Sequence, residues 1–350
     1  MLFVLSMVTF TCNAQQIKNR VSDTIHYEYL YGKIIIPITV NGITVKYIVD
    51  TGGQTGTMRK EAVQMKAMSG GTSRSVSDFN GMALAYEEAV LSNVQLSKNY
   101  RLSQMKSVIF PQLGFFEELG VAGILGSDAF SQTVVTFDSR EQLMIIDYPY
   151  RPLGLKLSDG VEMFAGTTNH PIVEVGLGCR KEKMLFDTGA HGLLMLSVDD
   201  YEDLKHGDYI QIMDTGVGIA GVGIGGFDRN NTMIMDKIMV NSLNFVGKTF
   251  KNIETVTNKG GISIIGVDIL KYGKVIVDYA RNRFYFLPFE SCEDDLARTL
   301  KTWNVDILPV DGHFEVTTVW ESMKEQVALG DWVVKIAGKD LNGMKQSQLE

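Results

Sequence analysis

Three Asp-Thr-Gly tripeptides stand in this chain: Asp50-Thr51-Gly52, Asp187-Thr188-Gly189 and Asp214-Thr215-Gly216. Asp and Gly both favour turns, so one such tripeptide can be an ordinary loop. Two of them, brought together, can form a carboxylate pair that shares one proton and does acid–base work. Chance supplies one copy in a chain of 350 residues on the order of a tenth of the time, so three need an explanation.

Context separates the copies. Asp50 closes the apolar run Tyr47-Ile48-Val49, and Asp187 closes Met184-Leu185-Phe186. Each run reads as a buried strand opening into a Gly-containing loop. Further on, each copy has two apolar residues and a glycine, Ile124-Leu125-Gly126 or Ile264-Ile265-Gly266. The separations agree, 126 − 50 = 76 and 266 − 187 = 79. Asp214 breaks the pattern, because 266 − 214 = 52 and no repeat starts with it. It is expected to be a plain turn before the Gly-rich loop 216–228.

The elements that must position these residues come from an internal repeat. Segment 33–57, KIIIPITVNGITVKYIVDTGGQTGT, matches segment 170–194, HPIVEVGLGCRKEKMLFDTGAHGLL. Each reads as an alternating strand, a turn, a second strand and the tripeptide; Asn41-Gly42 between apolar runs is a hairpin signal. Downstream, Gly126, Asp128 and Asp138 align with Gly266, Asp268 and Asp278 at offsets of 140 (266 − 126, 268 − 128, 278 − 138). The repeat places two copies of one all-β unit at 31–150 and 169–290. Short helices are expected near 58–68 and 197–205, the second N-capped by Ser197. Hairpins are expected at 75–86 and 216–228, and a helical linker at 291–302. The repeated Asp128, Asp268, Asp138 and Asp278 read as caps and turn residues. His191 reads as a surface or pocket-edge side chain.

The two supported tripeptides, with their apolar-apolar-glycine partners, resemble the aspartic protease family, in its retropepsin-like and bilobal pepsin-like members. The resemblance covers about residues 31–290. It implies an all-β fold of two pseudo-symmetric retropepsin-like β-barrel lobes in one chain. It implies catalysis by Asp50 and Asp187, active-site loops held by Thr51, Gly52, Thr188 and Gly189, and supporting strands at Ile124, Leu125, Gly126, Ile264, Ile265 and Gly266. It also implies a peptide or protein substrate, no cofactor and a monomeric active unit. Residue 53 is Gly and residue 190 is Ala, where pepsin-like members usually place a hydroxyl. A hydroxyl there holds carboxylate ionisation at low pH, so the dyad is expected to work at a milder pH than a pepsin.

Composition sets the frame. Hydrophobic residues make up 45% and charged residues 21%, which favours a packed core over disorder. The net charge of −8 argues against a nucleic-acid binder. Residues 1–15 resemble a secretory signal with Cys12-Asn13-Ala14 at the cleavage site, and lipid modification of Cys12 is the alternative. The expectation is an exported protein, periplasmic, cell-surface or secreted, with no stable membrane span. Cys179 and Cys292 permit a bridge in that compartment, and whether they pair is left open. No His, Cys or carboxylate spacing suggests a metal.

Residues 303–350 resemble a PDZ domain, truncated to a partial α+β module. The match is Ala328-Leu329-Gly330-Asp331, the strand Trp332–Ile336 and the turn Ala337-Gly338. Gly312, His313 and Phe314 would form a carboxylate loop, and Glu315–Val319 the strand that pairs with a C-terminal peptide. Two functional readings follow: an exported aspartic endopeptidase with a peptide-docking module, or a non-catalytic peptide-binding protein on the same scaffold.

Overall fold

Alternating apolar residues and two-residue turns build antiparallel pairs along most of this chain. The computed structural model describes residues 20–77, 83–164, 166, 168–219, 231–258, 260–292, 294–297, 304–310 and 313–344. The signal-like segment 1–15, most of the loop 216–228 and Gly312 lie outside the described residues.

The first lobe is an eight-stranded sheet. Its spatial order is Glu28–Leu30, Lys33–Val40, Ile43–Asp50, Gly123–Gly126, Gly56–Met58, Arg101–Phe110, Ala83–Gln95 and Met68–Ser77. The second lobe repeats it from the second strand onward. There the order is Ile172–Leu177, Arg180–Asp187, Ser263–Gly266, Leu194–Ser197, Lys248–Asn258, Thr232–Phe245 and Ile210–Ile219. Each lobe also closes on itself, through Thr39↔Gln95 in the first and Gly176↔Asn244 in the second. Closure of this kind curls each sheet into a barrel while leaving the outermost strands beyond the closing pair. At the first hairpin, Asn41 (φ +49°) and Gly42 (φ +82°) both take the left-handed backbone that a two-residue turn demands.

A third sheet of six strands joins the lobes: Val21–His26, Leu143–Tyr148, Val134–Asp138, Gly273–Asp278, Arg283–Pro288 and Val161–Glu162. At its centre Thr136 pairs with Ile276, its own repeat equivalent (276 − 136 = 140). The pseudo-twofold axis therefore passes through this pair. Phe137 of this sheet packs edge-on against Phe186, which packs on Phe284, which packs on Phe245. All four rings are fully buried, and each such burial is worth roughly 1.5–3 kcal/mol. The chain of rings fixes Phe186, and with it the strand that ends at Asp187.

The short helices form at Arg59–Gln64 and Val198–Leu204. Ser197 caps the second, accepting from the Asp200 N–H at 3.1 Å. The helical linker expected at 291–302 does not form among its described residues. Instead Lys251 N–H donates to Asp294 and Leu296 N–H donates to Lys251, so the segment runs as an extra bridge on the sheet. Leu296 is buried there, which an isolated exposed helix would not allow.

Asp214 is not a turn. It lies within the strand Ile210–Ile219, beside a bulge between Ile212 and Asp214. The outer edge of this strand is occupied: Gly216–Gly218 pairs with Thr318–Trp320 of the strand His313–Trp320. The C-terminal segment thus extends the second-lobe sheet by two strands, Val305–Val310 being the last. Trp320 packs against Gly216, where a Cβ would meet its ring at 2.8 Å, and Lys237 lies 4.9 Å from the ring centroid. Ser322 donates to the Asp214 carboxylate at 2.6 Å. The strand expected at Trp332–Ile336 shortens to Lys335–Ile336, with Trp332 in an isolated bridge to Glu315. The Ala337-Gly338 turn is present, at φ +48° and +86°. No helix among the described residues is long and apolar enough to cross a membrane.

Candidate active site

Asp50 and Asp187 each sit at the last position of a strand, with the apolar-apolar-glycine strand running parallel beside it. Asp50 pairs in register with Gly126, and Asp187 with Gly266. Both partners must be glycine because the loop after each Asp folds over them. A Cβ on Gly126 would lie 2.5 Å from the Gly53 carbonyl, and one on Gly266 would lie 2.9 Å from that of Ala190. The next residues tie the loops down, Ser127 N–H to Gly53 and Val267 N–H to Ala190. Ile124, Leu125, Ile264 and Ile265 are buried beneath.

The two threonines lock the lobes together. Thr51 N–H donates to Thr188 Oγ1 at 3.1 Å, and Thr188 N–H donates to Thr51 Oγ1 at 3.0 Å. Each hydroxyl then donates onward, Thr51 to the Phe186 carbonyl at 2.7 Å and Thr188 to the Val49 carbonyl at 2.8 Å. Both side chains are fully buried. Four hydrogen bonds thus cross the axis between two loops distant in sequence.

The clamp brings the carboxyl groups face to face. A Cβ on Gly189 would lie 2.6 Å from the Asp50 carboxyl carbon, and one on Gly52 would overlap the Asp187 carboxyl. Each Asp therefore packs on the glycine of the opposite loop. Gly189 N–H donates to Asp187 Oδ1 at 2.7 Å. Asp50 is part-exposed as a residue, but its Oδ1 is buried and has no hydrogen-bond partner among the described residues. Its carboxyl is pushed up to about 8, first by burial, then by the charge and hydrogen bond of Asp187. The Lys33 ammonium and the Gly53 N–H oppose this.

Other expected residues take supporting places. Asp128 accepts from both the Thr55 N–H (2.9 Å) and hydroxyl (2.8 Å), bracing the first loop. Asp138 and Asp278 are buried at strand ends, paired with Lys274 and Arg281. Asp268 pairs with Lys271. His191 is exposed, its ring against Gly32. His313 stacks near Trp332 with ring centroids 4.0 Å apart, and Phe314 is a core residue, so both lie with the C-terminal strands and apart from the dyad. Cys179 and Cys292 do not form a disulfide with each other. Among the described residues no cluster of His, Cys, Asp and Glu could hold a metal.

Two residues beside the dyad were not singled out from sequence. Lys33 Nζ donates to the Gly189 carbonyl, and His170 lies within the field of Asp187 and Asp128. Each is the first residue of its repeat segment, and that shared position was the available signal.

Residues 36–129, which include Asp50-Thr51-Gly52 and Gly123–Gly126, match a family model described as aspartyl protease. No curated protein matches the chain. Among solved structures, a retropepsin-like aspartic protease from Rickettsia conorii is similar at 16% identity and a TM-score of 0.28, over 37% of this chain and 92% of its own. An aspartic proteinase from Irpex lacteus is similar at 11% identity and a TM-score of 0.46, over 77% of this chain and 98% of its own. The family match supports an aspartic-protease assignment, and it falls on the lobe that carries the first dyad carboxylate.

Proposed function

We propose that this chain is an aspartic endopeptidase whose catalytic groups are Asp50 and Asp187. The observation that carries the reading is the packing of each carboxyl on the glycine of the opposite loop, held by the crossed threonine bonds. Two carboxylates in contact do not both ionise cheaply, so at neutral pH the pair keeps one proton. The ionised oxygen takes a proton from a water, which attacks the scissile carbonyl directly. The protonated carboxyl donates to the carbonyl oxygen, so no covalent intermediate is needed. The pair titrates as a unit.

The hairpin Met68–Ser77/Ala83–Gln95 is the better placed flap. Its outer strand ends its sheet, whereas the equivalent second-lobe strand is already paired with His313–Trp320. Such a hairpin can close over substrate and exclude water. The signal-like segment 1–15 motivates export, while a peptide-docking role for the C-terminal module would need an edge other than Glu315–Val319, which is already paired with Val305–Val310 on one side and with Gly216–Gly218 and residues 330–332 on the other. The test is digestion of a denatured protein mixture between pH 3 and pH 9, with new termini mapped by mass spectrometry. Cleavage blocked by a statine-type transition-state mimic supports the reading. A chain that cuts nothing over this range, yet binds peptides, belongs to the non-catalytic alternative.

A further inference from the structure

The strand register carries information that the dyad mechanism does not use. In the first-lobe hairpin, paired residue numbers sum to 83, from Val40↔Ile43 to Ile35↔Ile48. Continuing that register sets Lys33 across from Asp50, because 33 + 50 = 83. In the second lobe the sum is 357, as in Ile172↔Leu185. There His170 stands across from Asp187, because 170 + 187 = 357. The pseudo-twofold therefore gives each catalytic carboxylate a basic residue at the same place.

Each basic side chain also crosses to the other lobe. The Lys33 ammonium donates to the Gly189 carbonyl, within the second tripeptide loop. The His170 imidazole hydrogen-bonds the Gly53 backbone, within the first, and its Nε2 is buried without a partner among the described residues. The two positions differ in charge. Burial lowers the lysine's affinity for its proton, and Asp50 and Asp187 offset this only in part. Burial keeps His170 toward its neutral form, opposed by Asp187 and Asp128. The other titratable groups facing the pair are Asp128, Tyr279, held neutral by burial and linked to Asp128 and Asp50, and His191, which packs on Gly32 next to Lys33.

We propose that Lys33 is the positioning residue that sets the dyad's working pH, with neutral His170 as its uncharged pseudo-symmetric counterpart. This rests on the reading of Asp50 and Asp187 as the catalytic pair. A singly ionised dyad beside one ammonium and one neutral imidazole is a site of zero net charge. That is the state a buried, water-poor cleft favours. The ammonium does from the side what a hydroxyl at residue 53 or 190 would do from the loop. It favours the ionised form, and its hydrogen bond holds the Gly189 loop against Asp50.

The test is a carboxyl titration of the protein labelled with 13C-aspartate, followed by NMR, alongside the pH dependence of kcat/KM. Replacing Lys33 by Met or by Gln should move the dyad's titration to higher pH by about 1–3 units, the span expected for loss of an adjacent cation. Both limbs of the rate profile should follow. Lys33→Arg should restore the wild-type titration, and His170→Gln, which changes no charge at neutral pH, should move neither limb. Agreement between Met and Gln separates charge from the hydrogen bond and covers failure of either variant to fold. Titrations of Lys33→Met and Lys33→Gln that overlay the wild type would overturn the proposal while leaving the protease reading intact. A shifted titration in a chain that cleaves nothing would instead indict the protease reading.

Discussion

Replacing Thr51 by Val is the sharpest perturbation of the clamp between the lobes. The shape is kept and the hydroxyl is lost. Two hydrogen bonds go with it, from Thr188 N–H at 3.0 Å and to the Phe186 carbonyl at 2.7 Å. Thr51 and Thr188 are fully buried, so water cannot replace these partners. Each buried group left unpaired costs about 1–3 kcal/mol, so the variant, which strands two of them, should lose about 2–6 kcal/mol of stability. Thr188→Val removes the equivalent pair, from Thr51 N–H and to the Val49 carbonyl, and should lose a similar amount. The loops that carry Asp50 and Asp187 should also loosen, and misplacement by about 1 Å lowers activity on the order of a hundredfold. The assay is urea unfolding followed by far-UV circular dichroism, with kcat/KM measured on the same preparations. A loss below about 0.5 kcal/mol in either variant, within the range of ordinary surface changes, would refute the clamp.

Further outcomes follow from the same geometry. The Asp50 carboxyl holds its proton up to about pH 8, against an ordinary value of 3.8. Its stabilising contribution is therefore full in acid and lost as pH rises from about 4 through about 8. Asp50→Asn should match wild-type stability near pH 4 and exceed it at pH 8; thermal melts at both pH values check this, and equal differences would contradict it. The rate profile should fall on its alkaline side near pH 8, and a profile peaking at pH 2–3 would contradict the milder working pH expected from the lack of hydroxyls at residues 53 and 190. Gly126→Ala places a Cβ 2.5 Å from the Gly53 carbonyl and should cost about 1–3 kcal/mol by overpacking, measured by urea unfolding. Trp320→Ala should release the C-terminal strands, read as faster amide exchange at Gly216–Gly218; unchanged exchange would mean that the contact adds nothing.

Much of this site was legible in the sequence because its constraints are local and doubled. An apolar strand must end at each Asp, and a glycine must lie where the loop crosses it, so Gly126 and Gly266 appear at matching separations. The repeat showed the pairing that chance would not. Lys33 and His170 escaped notice because their meaning depends on strand register and on reaching the opposite lobe. Asp214 misled for a related reason. Its tripeptide reads as a turn, yet Gly216 serves a long strand, where the missing side chain makes room for Trp320. Only the C-terminal partner, about a hundred residues away (320 − 216 = 104), decides that outcome. The linker failed as a helix because Leu296 has a buried place on the sheet beside Lys251, a tertiary contact that local propensity does not report.

The most direct measurement of the central claim compares three single variants on one cleavable substrate. Asp50→Asn and Asp187→Asn should each reduce kcat/KM to background, while Asp214→Asn, which touches Ser322 and not the dyad, should retain wild-type turnover. Retained cleavage in either dyad variant, or its loss in Asp214→Asn alone, would contradict a two-carboxylate site built from the first and second tripeptides.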